Sequence, residues 1–230
     1  GEIFSVGILM RTPGNDRELV IGFLYGEGII ENYENVEDID IDDNCCHVKI
    51  TADSNFDPVE HVRKTSVSSA CGICGRDSIS NLLRPQGVKI PTGRTYALHN
   101  IIKSVDVLRS SQDVFSLTGG SHAASMMDPS GRMVLIAEDV GRHNAVDKLI
   151  GKCLSSGIKN PGDNFIVVSG RASFELVLKS VRFGFPMLVA VGAPSSLAVD
   201  MATEHGMTLV GFVKEEKISV YSFPGRVQTI

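Results

Sequence analysis

The later part of the sequence alternates short apolar runs with segments of helical periodicity, and this alternation limits the folds open to the chain. The runs at 165–169 and 187–191 are typical of buried strands. Apolar residues recur at the helical period over 142–154 and 173–183. Strands that alternate with helices favour parallel pairing beneath covering helices. From residue 114 the predicted order is β-β-α-β-α-β-α-β-β, which is that of an α/β sheet.

A hairpin is predicted to open this region, with strands at 114–127 and 132–140. Between them, Asp128-Pro129-Ser130-Gly131 places Pro and Gly where they favour a type I turn. The strand–helix order also resembles that of the zinc deaminases, but neither helix start carries the cysteines of their metal site. The other predicted elements of this region are a helix at 195–205 and strands at 208–213 and 217–223.

The earlier part of the chain is less regular and is predicted to form a smaller α+β domain. Its clearest helix follows Asn15, which can cap it with Glu18 in the capping-box position. Gly26 and Gly28 are predicted to end this helix. The other predicted elements are strands at 3–10, 45–51 and 58–66, an acidic loop at 34–44, a short helix at 76–83 and a linker at 84–94. The predicted domains are therefore residues 1–95 and 96–230.

Composition argues against several classes of function. Lys and Arg total 22 against 27 Asp and Glu, a net charge of −5, whereas general nucleic-acid binding needs a basic surface. With 43% hydrophobic residues the chain suits a globular protein. No stretch approaches the about 18–20 apolar residues of a membrane span, and the start lacks the pattern of a signal peptide. We therefore expect neither a nucleic acid nor a membrane as partner.

The five cysteines predict a reducing, cytoplasmic setting, because an odd number does not suit a disulfide framework. Cys71 and Cys74 form a Cys-x-x-Cys motif flanked by Gly72 and Gly75. Two thiols at this spacing can attack and resolve in turn, as in sulfur transfer or disulfide exchange. Cys153 falls on the apolar face of a predicted helix and is expected in the core.

Three interpretations of the Cys-x-x-Cys motif stay open. It suits a reactive pair for sulfur chemistry, a thioredoxin-type redox centre, or half of a zinc site. For zinc, the nearby further ligands are Cys45, Cys46 and His47, and adjacent cysteines are not the usual ligand spacing. Otherwise Cys45 and Cys46 are expected to be structural.

Two Gly-Arg turns follow predicted strands and predict a phosphate-bearing ligand. Gly141-Arg142-His143-Asn144 and Ser169-Gly170-Arg171 each join a strand to a helix, while Thr118-Gly119-Gly120-Ser121-His122 is placed in the first hairpin strand. Ligands of open α/β sheets bind beyond the carboxyl ends of strands, where helix N-termini attract anions. The alternative for each Arg is that it only caps a helix or pairs with Glu138, Asp139 or Asp147. His122 and His143 are expected to be satisfied hydrogen-bonding residues, with a metal-ligand or base role as their alternative. Recurrence of the turn at one end of the sheet favours the ligand.

Several motifs spread along the chain occur together in one known family. They are Met10-Arg11-Thr12-Pro13-Gly14, Gly22-Phe23-Leu24, Glu27-Gly28-Ile29-Ile30, Cys71-Gly72-Ile73-Cys74-Gly75, Thr118-Gly119-Gly120, His122-Ala123-Ala124, the run from Glu138 to Lys148, and Ser169-Gly170-Arg171. From about residue 6 to Arg226 the chain resembles the FdhD family of accessory sulfurtransferases for formate dehydrogenase. The run centred on Arg142 is its most specific part.

The resemblance implies a sulfurtransferase that carries a persulfide on Cys71, with help from Cys74. Sulfane sulfur would come from a cysteine desulfurase and pass to the molybdenum cofactor in its bis-molybdopterin guanine dinucleotide form. The cofactor is then cargo, inserted into formate dehydrogenase, and no permanent metal is required. The resemblance also implies a homodimer and a C-terminal cytidine deaminase-like domain with a three-layer mixed sheet. A non-catalytic cofactor chaperone and a dithiol oxidoreductase remain the alternatives.

A cofactor-binding stretch of the family maps onto the C-terminal residues Phe212 to Lys217. Combined with the glycine, arginine and histidine turns, it defines the cofactor site expected from the sequence. That site comprises Gly119, Gly120, His122, Arg142, His143, Asn144, Ser169, Gly170, Arg171, Phe212, Val213, Lys214, Glu215, Glu216 and Lys217.

Overall fold

A computed structural model describes residues 2–42, 44–62, 90, 93–214 and 217–229. In chain order its helices and strands are α1 (Asp16–Glu27), β1 (Val36–Asp42), β2 (Cys45–Ile50), α2 (Pro58–His61), β3 (Tyr96–Ala97), α3 (Leu98–Ser110), α4 (Asp113–Thr118), β4 (His122–Met127), β5 (Met133–Asp139), α5 (Arg142–Ser155), β6 (Phe165–Val168), α6 (Phe174–Phe183), β7 (Met187–Ala190), α7 (Ser196–Glu204), β8 (Thr208–Lys214), β9 (Lys217–Ser222) and β10 (Val227–Gln228). No helix within these ranges is long and apolar enough to cross a bilayer.

A six-stranded mixed sheet with the order β5-β4-β6-β7-β8-β9 organises the fold. Strands β6, β7 and β8 are parallel, whereas β4 runs antiparallel to both β5 and β6, and β9 antiparallel to β8. The carboxyl ends of β5, β6, β7 and β8 therefore share one edge of the sheet with the first residue of β4. The predicted helices at 142–154, 173–183 and 195–205 are confirmed as α5, α6 and α7, as are the strands around them.

Apolar side chains pack on both faces of this sheet. Helices α1, α5, α6 and α7 cover one face, and α3 covers the other with Ile101, Val105 and Leu108 against strand residues such as Phe165 and Val167. The strand residues in the middle are buried from both sides, which explains their continuous apolar runs. Helix α3 was not predicted, although its three core residues follow the helical period. The cytidine deaminase likeness and the division at residue 95 stay predictions.

The β4–β5 hairpin confirms the predicted turn but begins later than expected. The Gly131 N–H donates to the Asp128 carbonyl at 2.9 Å, closing the turn. The predicted start at residue 114 is wrong, because 113–118 form helix α4 and Gly119 ends it in the left-handed region at φ 65°. Glu138 of β5 stabilises this helix by accepting the N–H groups of Val114 and Phe115. Gly119 and Gly120 therefore lie in an exposed loop before β4 rather than in a strand.

Helices α1 and α5 meet at their backbones. A side chain on Gly22 of α1 would overlap the backbone carbonyl of Asp147, and one on Gly151 of α5 would overlap that of Glu18. Each helix therefore uses a glycine at the point where the other passes. Gly28 ends α1 as predicted, at φ 82°, whereas Gly26 lies within the helix. Asn15 takes a left-handed conformation, and its side chain makes no capping hydrogen bond.

Three of the elements predicted for the first 62 residues are wrong. Residues 3–10 form no strand, and at the end of this segment the Met10 carbonyl accepts a hydrogen bond from Asn144 of α5. The expected acidic loop at 34–44 contains β1, since its acid–apolar alternation has the period of a strand and buries Ile39 against the core. Within 58–66, Pro58–His61 form a helical turn that Asp57 caps by accepting the Val59 N–H at 2.8 Å. The predicted helix at 76–83 lies outside the described residues.

Candidate functional site

Loops from several strands meet at the shared edge of the sheet. His122 begins β4, Gly170 and Arg171 follow β6, and Gly192 follows β7. The Gly192 N–H donates to the Gly170 carbonyl at 3.0 Å, and the Phe212 N–H of β8 donates to the Gly192 carbonyl at 3.2 Å. These bonds bring the predicted Gly170-Arg171 turn and the predicted C-terminal stretch to one place. We call His122, Arg142, Gly170, Arg171, Gly192 and Phe212 the strand-end cluster.

Glycines make room for the histidine and arginine side chains of this cluster. A methyl group on Gly170 would lie 3.2 Å from Nδ1 of His122 and 3.9 Å from Cδ of Arg142. The imidazole and the guanidinium stem therefore pack over the same backbone position. A methyl group on Gly192 would lie 3.0 Å from Cγ of Arg171, so this side chain packs on the next strand end in the same way. Phe212 is 44% exposed here and holds an unusual left-handed backbone at φ 52°.

The strand-end cluster, as the described residues define it, contains two arginines and no acidic side chain, although the chain carries a net charge of −5. Burial lowers the pKa of His122, and the charges of Arg142 and Arg171 lower it further, so His122 is neutral at neutral pH. Helices α5 and α6 begin directly beyond β5 and β6, with their unpaired N–H groups at this edge. Two arginines beside two helix N-termini form a surface suited to phosphate or another anion.

His143 bridges the first turns of α5 and α6. Its Nε2 lies 3.0 Å from Oγ of Ser173 and 3.2 Å from a carboxylate oxygen of Glu175. Burial, with the nearby charges of Lys179 and Arg142, lowers the pKa of His143 to about 3. The imidazole is therefore neutral, and because a carboxylate only accepts, its proton lies on Nε2. Nδ1 is then a hydrogen-bond acceptor.

A second charged contact lies one helical turn deeper. Lys179 of α6 donates to both carboxylate oxygens of Asp147 of α5, and both side chains are almost fully buried. Asp147 and His143 are one turn apart on α5, and Lys179 and Glu175 are one turn apart on α6. The two helices thus face each other through two polar contacts. The outer one contains His143, which lies near enough to Arg142 and His122 for their charges to act on it.

Asp139 fixes the start of α5. This carboxylate, fully buried at the end of β5, accepts hydrogen bonds from the Gly141 N–H, Asn144 Nδ2, Lys148 Nζ and the Thr12 N–H, all at 2.8–3.0 Å. Asn144 Nδ2 also donates to the Met10 carbonyl at 2.8 Å. The predicted site residue Asn144 therefore helps to hold the segment 10–12 against the turn that carries Arg142.

The three carboxylates considered as alternative partners of the arginines have other contacts. Glu138 accepts bonds from α4 and from Ser121, Asp139 binds Lys148 and Asn144, and Asp147 binds Lys179. Ser169 accepts the Ala123 N–H through Oγ at 2.9 Å and so links β6 to β4. These contacts position the strand-end cluster.

Of the remaining predicted site residues, some lie at this edge of the sheet, one lies in the core, and four lie outside the described residues. Lys214 and Lys217 pair across β8 and β9 at the same edge and are exposed, whereas Val213 is buried in the core beneath α3. Cys71, Cys74, Glu215 and Glu216 lie outside the described residues. The predictions did not include Gly192, Ser173, Glu175 or Lys179. Gly192 follows a predicted strand as Gly170 does, but Ala193 comes after it, so the Gly-Arg pattern did not select it.

The described cysteines give no support to a preformed metal centre. Cys45 is exposed with its Sγ 3.5 Å from Nε2 of His47, and Cys46 is half-buried. Across the described ranges, no three His, Cys, Asp or Glu side chains are grouped so that they could hold a metal ion. Cys153 is buried in the core, as predicted.

Comparison with known proteins gives consistent matches along the chain. A family model described as the FdhD/NarQ family matches residues 4–228. The sulfur carrier protein FdhD of Sulfurisphaera tokodaii is 42% identical over 226 residues, covering 97% of this chain and 84% of that protein. The protein of the same name from Thermoplasma acidophilum is 42% identical over 234 residues, covering 99% and 81%. A crystal structure of a candidate formate dehydrogenase accessory protein from Desulfotalea psychrophila matches with a TM-score of 0.75 at 26% identity, covering 95% of this chain and 83% of that one.

Proposed function

The chain belongs to the FdhD/NarQ family, and on this basis we propose that it is a sulfur carrier for the molybdenum cofactor of a formate dehydrogenase. It receives sulfane sulfur from a cysteine desulfurase as a persulfide on Cys71. It passes this sulfur to the bis-molybdopterin guanine dinucleotide cofactor, which then enters formate dehydrogenase. The names of the relatives, sulfur carrier protein and formate dehydrogenase accessory protein, support a role in sulfur transfer for formate dehydrogenase. The Cys-x-x-Cys motif supports the chemistry.

The sulfur chemistry balances in two steps. The Cys71 thiolate attacks the terminal sulfur of the donor persulfide, the donor S–S bond breaks, and the donor thiolate leaves. The Cys74 thiolate then attacks the Cys71 sulfur, so that a Cys71–Cys74 disulfide forms and the terminal sulfur leaves as hydrosulfide for the metal. A cellular dithiol supplies the two electrons that restore both thiols.

One observation carries the cofactor part of the proposal: His122 and Arg142 pack over Gly170, next to Arg171. The diphosphates of the cofactor suit two guanidinium groups and the N-termini of α5 and α6. The exposed ring of Phe212 offers a face on which guanine can stack. The neutral His143, through Nδ1, can accept a hydrogen bond from a ligand N–H or O–H group. These residues bind and orient the cargo, whereas Cys71 carries the sulfur.

A cofactor-binding chaperone without sulfur chemistry is the second candidate. It is favoured by one observation, namely that His122, Arg142 and Arg171 pack over the glycines of the sheet edge, an arrangement suited to holding an anion. A chaperone would keep both guanine-nucleotide binding and formate dehydrogenase activation after loss of both motif cysteines. A sulfur carrier would keep the binding and lose the activation.

Persulfide trapping tests the sulfur carrier directly. The wild type, Cys71→Ala and Cys74→Ala are incubated with cysteine desulfurase and cysteine, alkylated and analysed by peptide mass spectrometry. A gain of about 32 Da, one sulfur atom from the exchange reaction, is expected on the Cys71 peptide of the wild type and of Cys74→Ala. Formate dehydrogenase activation that persists in Cys71→Ala would overturn the proposal. We also propose a homodimer in the cytoplasm, and light scattering on the purified protein tests the dimer.

A further inference from the structure

We propose that the strand-end cluster takes up one proton when it binds a diphosphate ester, and that His122 receives this proton. The inference rests on the proposed cofactor site and concerns its regulation. His122 would be a neutral side chain in the free protein and a cationic donor to phosphate in the complex. Ligand affinity would then depend on pH even though the ligand itself does not titrate.

The position of His122 gives the physical reason. The imidazole and the stem of Arg142 pack over Gly170, and Arg171 is the next residue along the chain. Two permanent positive charges therefore oppose a third on the imidazole. A phosphate group bound to these arginines neutralises the opposition and adds an attraction of its own. Both changes favour the imidazolium form, which can then donate to the phosphate.

Among the described residues, the charged and titratable groups on the elements packed around His122 are two arginines, a neutral histidine and carboxylates that contact other groups. Helix α5 contributes Arg142 and His143, and the loop after β6 contributes Arg171. Across β5, Asp139 is opposite His122 in the register, but its carboxylate is bound by Lys148, Asn144 and two backbone N–H groups. Glu138 is bound by α4 and Ser121. From α6, Glu175 contacts His143 and Lys179 contacts Asp147.

His122, not His143, is suited to take up the proton. His143 is buried between α5 and α6 and is already bonded to Ser173 and Glu175. Burial lowers its pKa to about 3, so it stays neutral over the pH range in which proteins are handled. Partial burial is the larger cause of the lowered pKa of His122, and the charges of Arg142 and Arg171 lower it further. A bound anion would compensate these arginine charges. Ligand binding therefore changes the charge of His122 first.

Isothermal titration calorimetry with guanosine diphosphate mannose tests the inference. Both phosphates of this probe are esterified and keep constant charge between pH 5.5 and 8. Titrations in two buffers of different ionisation enthalpy give the number of protons taken up. We expect uptake that approaches one proton, and an affinity that rises as pH falls, by up to about tenfold per pH unit within the titration window.

Two variants decide whether His122 is responsible. His122→Gln should bind the probe with no proton uptake and with a flat pH profile, whereas His99→Gln, on the exposed surface of α3, should behave as the wild type. Thermal melting shows whether each variant is folded. Probe binding without proton uptake in the wild type, or unchanged uptake in folded His122→Gln, would overturn the inference and leave the cofactor site standing. An absence of binding at every pH would overturn the proposed site together with the inference.

Discussion

Gly22 of α1 lies directly against the backbone carbonyl of Asp147 on α5, at a separation that leaves no space for a side chain. Asp147 in turn binds Lys179 of α6, so this contact joins three helices. Phe23, the residue after Gly22, packs its ring 6.0 Å from the Lys179 ammonium. The Gly22-Phe23-Leu24 motif therefore has a structural role in packing α1 against α5 and α6.

We expect Gly22→Ala to destabilise the protein by at least about 2 kcal/mol, because the added methyl group forces α1 away from α5. Urea denaturation followed by circular dichroism measures the loss. Gly225→Ala is the matched control, since nothing lies within 4 Å of a side chain at that exposed position. Equal stability of the two variants would show that the helices separate without cost.

Asp139→Asn should destabilise the protein by about 3–5 kcal/mol, because it leaves the buried Lys148 ammonium without its carboxylate. The exposed pair of Lys49 and Glu37 provides the control, and Glu37→Gln should change the free energy of unfolding by less than about 1 kcal/mol. Urea midpoints measure both effects. A small effect of Asp139→Asn would mean that Lys148 finds another partner.

Stability should fall as the pH is lowered from 7 to 4, and His143 should contribute to this fall. Its pKa is about 3 in the folded protein and close to 6.5 when unfolded, so between these values only the unfolded chain binds the proton. The unfolded state is then favoured by up to about 1.4 kcal/mol per pH unit. Urea unfolding at pH 7, 6 and 5 should show a shallower loss for His143→Gln than for the wild type. Parallel pH profiles would contradict this role of His143.

The sequence predicted the later part of the fold better than the earlier part for identifiable physical reasons. Buried parallel strands such as Phe165–Val168 have continuous apolar runs, and α5 and α6 show clear helical periods. Helix α4, in contrast, is stabilised by the carboxylate of Glu138 from another element. A capping contact across 24 residues leaves no local pattern in the sequence.

The candidate site also divides into residues that a local sequence pattern predicted and residues that only the folded structure brings together. The Gly-Arg turns were found because a glycine followed by an arginine after a predicted strand is a local pattern. Glu175 was missed because its role depends on the contact between the first turns of α5 and α6. The bonds that tie Thr12 to Asp139 and Lys148 join residues more than a hundred positions apart, and only the folded chain brings them together.

The described cysteines should differ widely in reactivity. Burial raises the pKa of the Cys153 thiol to about 12, whereas Cys45 is exposed. Brief treatment of the native protein with iodoacetamide at pH 8 should alkylate Cys45 and leave Cys153 unmodified, as peptide mass spectrometry would show. The same treatment in guanidinium chloride should modify both and serves as the control. Early modification of native Cys153 would show that α5 opens easily.

Arg171→Ala should weaken the binding of guanosine diphosphate mannose by roughly tenfold to a hundredfold, because a charge-assisted hydrogen bond to phosphate is worth about 1.5–3 kcal/mol. Arg171 is exposed, so the urea midpoint should stay near that of the wild type. Arg171→Lys should restore part of the affinity, since lysine keeps the charge but not the planar fork. Arg109→Ala, which removes an exposed arginine of α3, is the control for net charge and should bind normally. If Arg171→Ala and Arg109→Ala weaken binding equally, the effect is one of overall charge and the phosphate does not lie at the strand-end cluster.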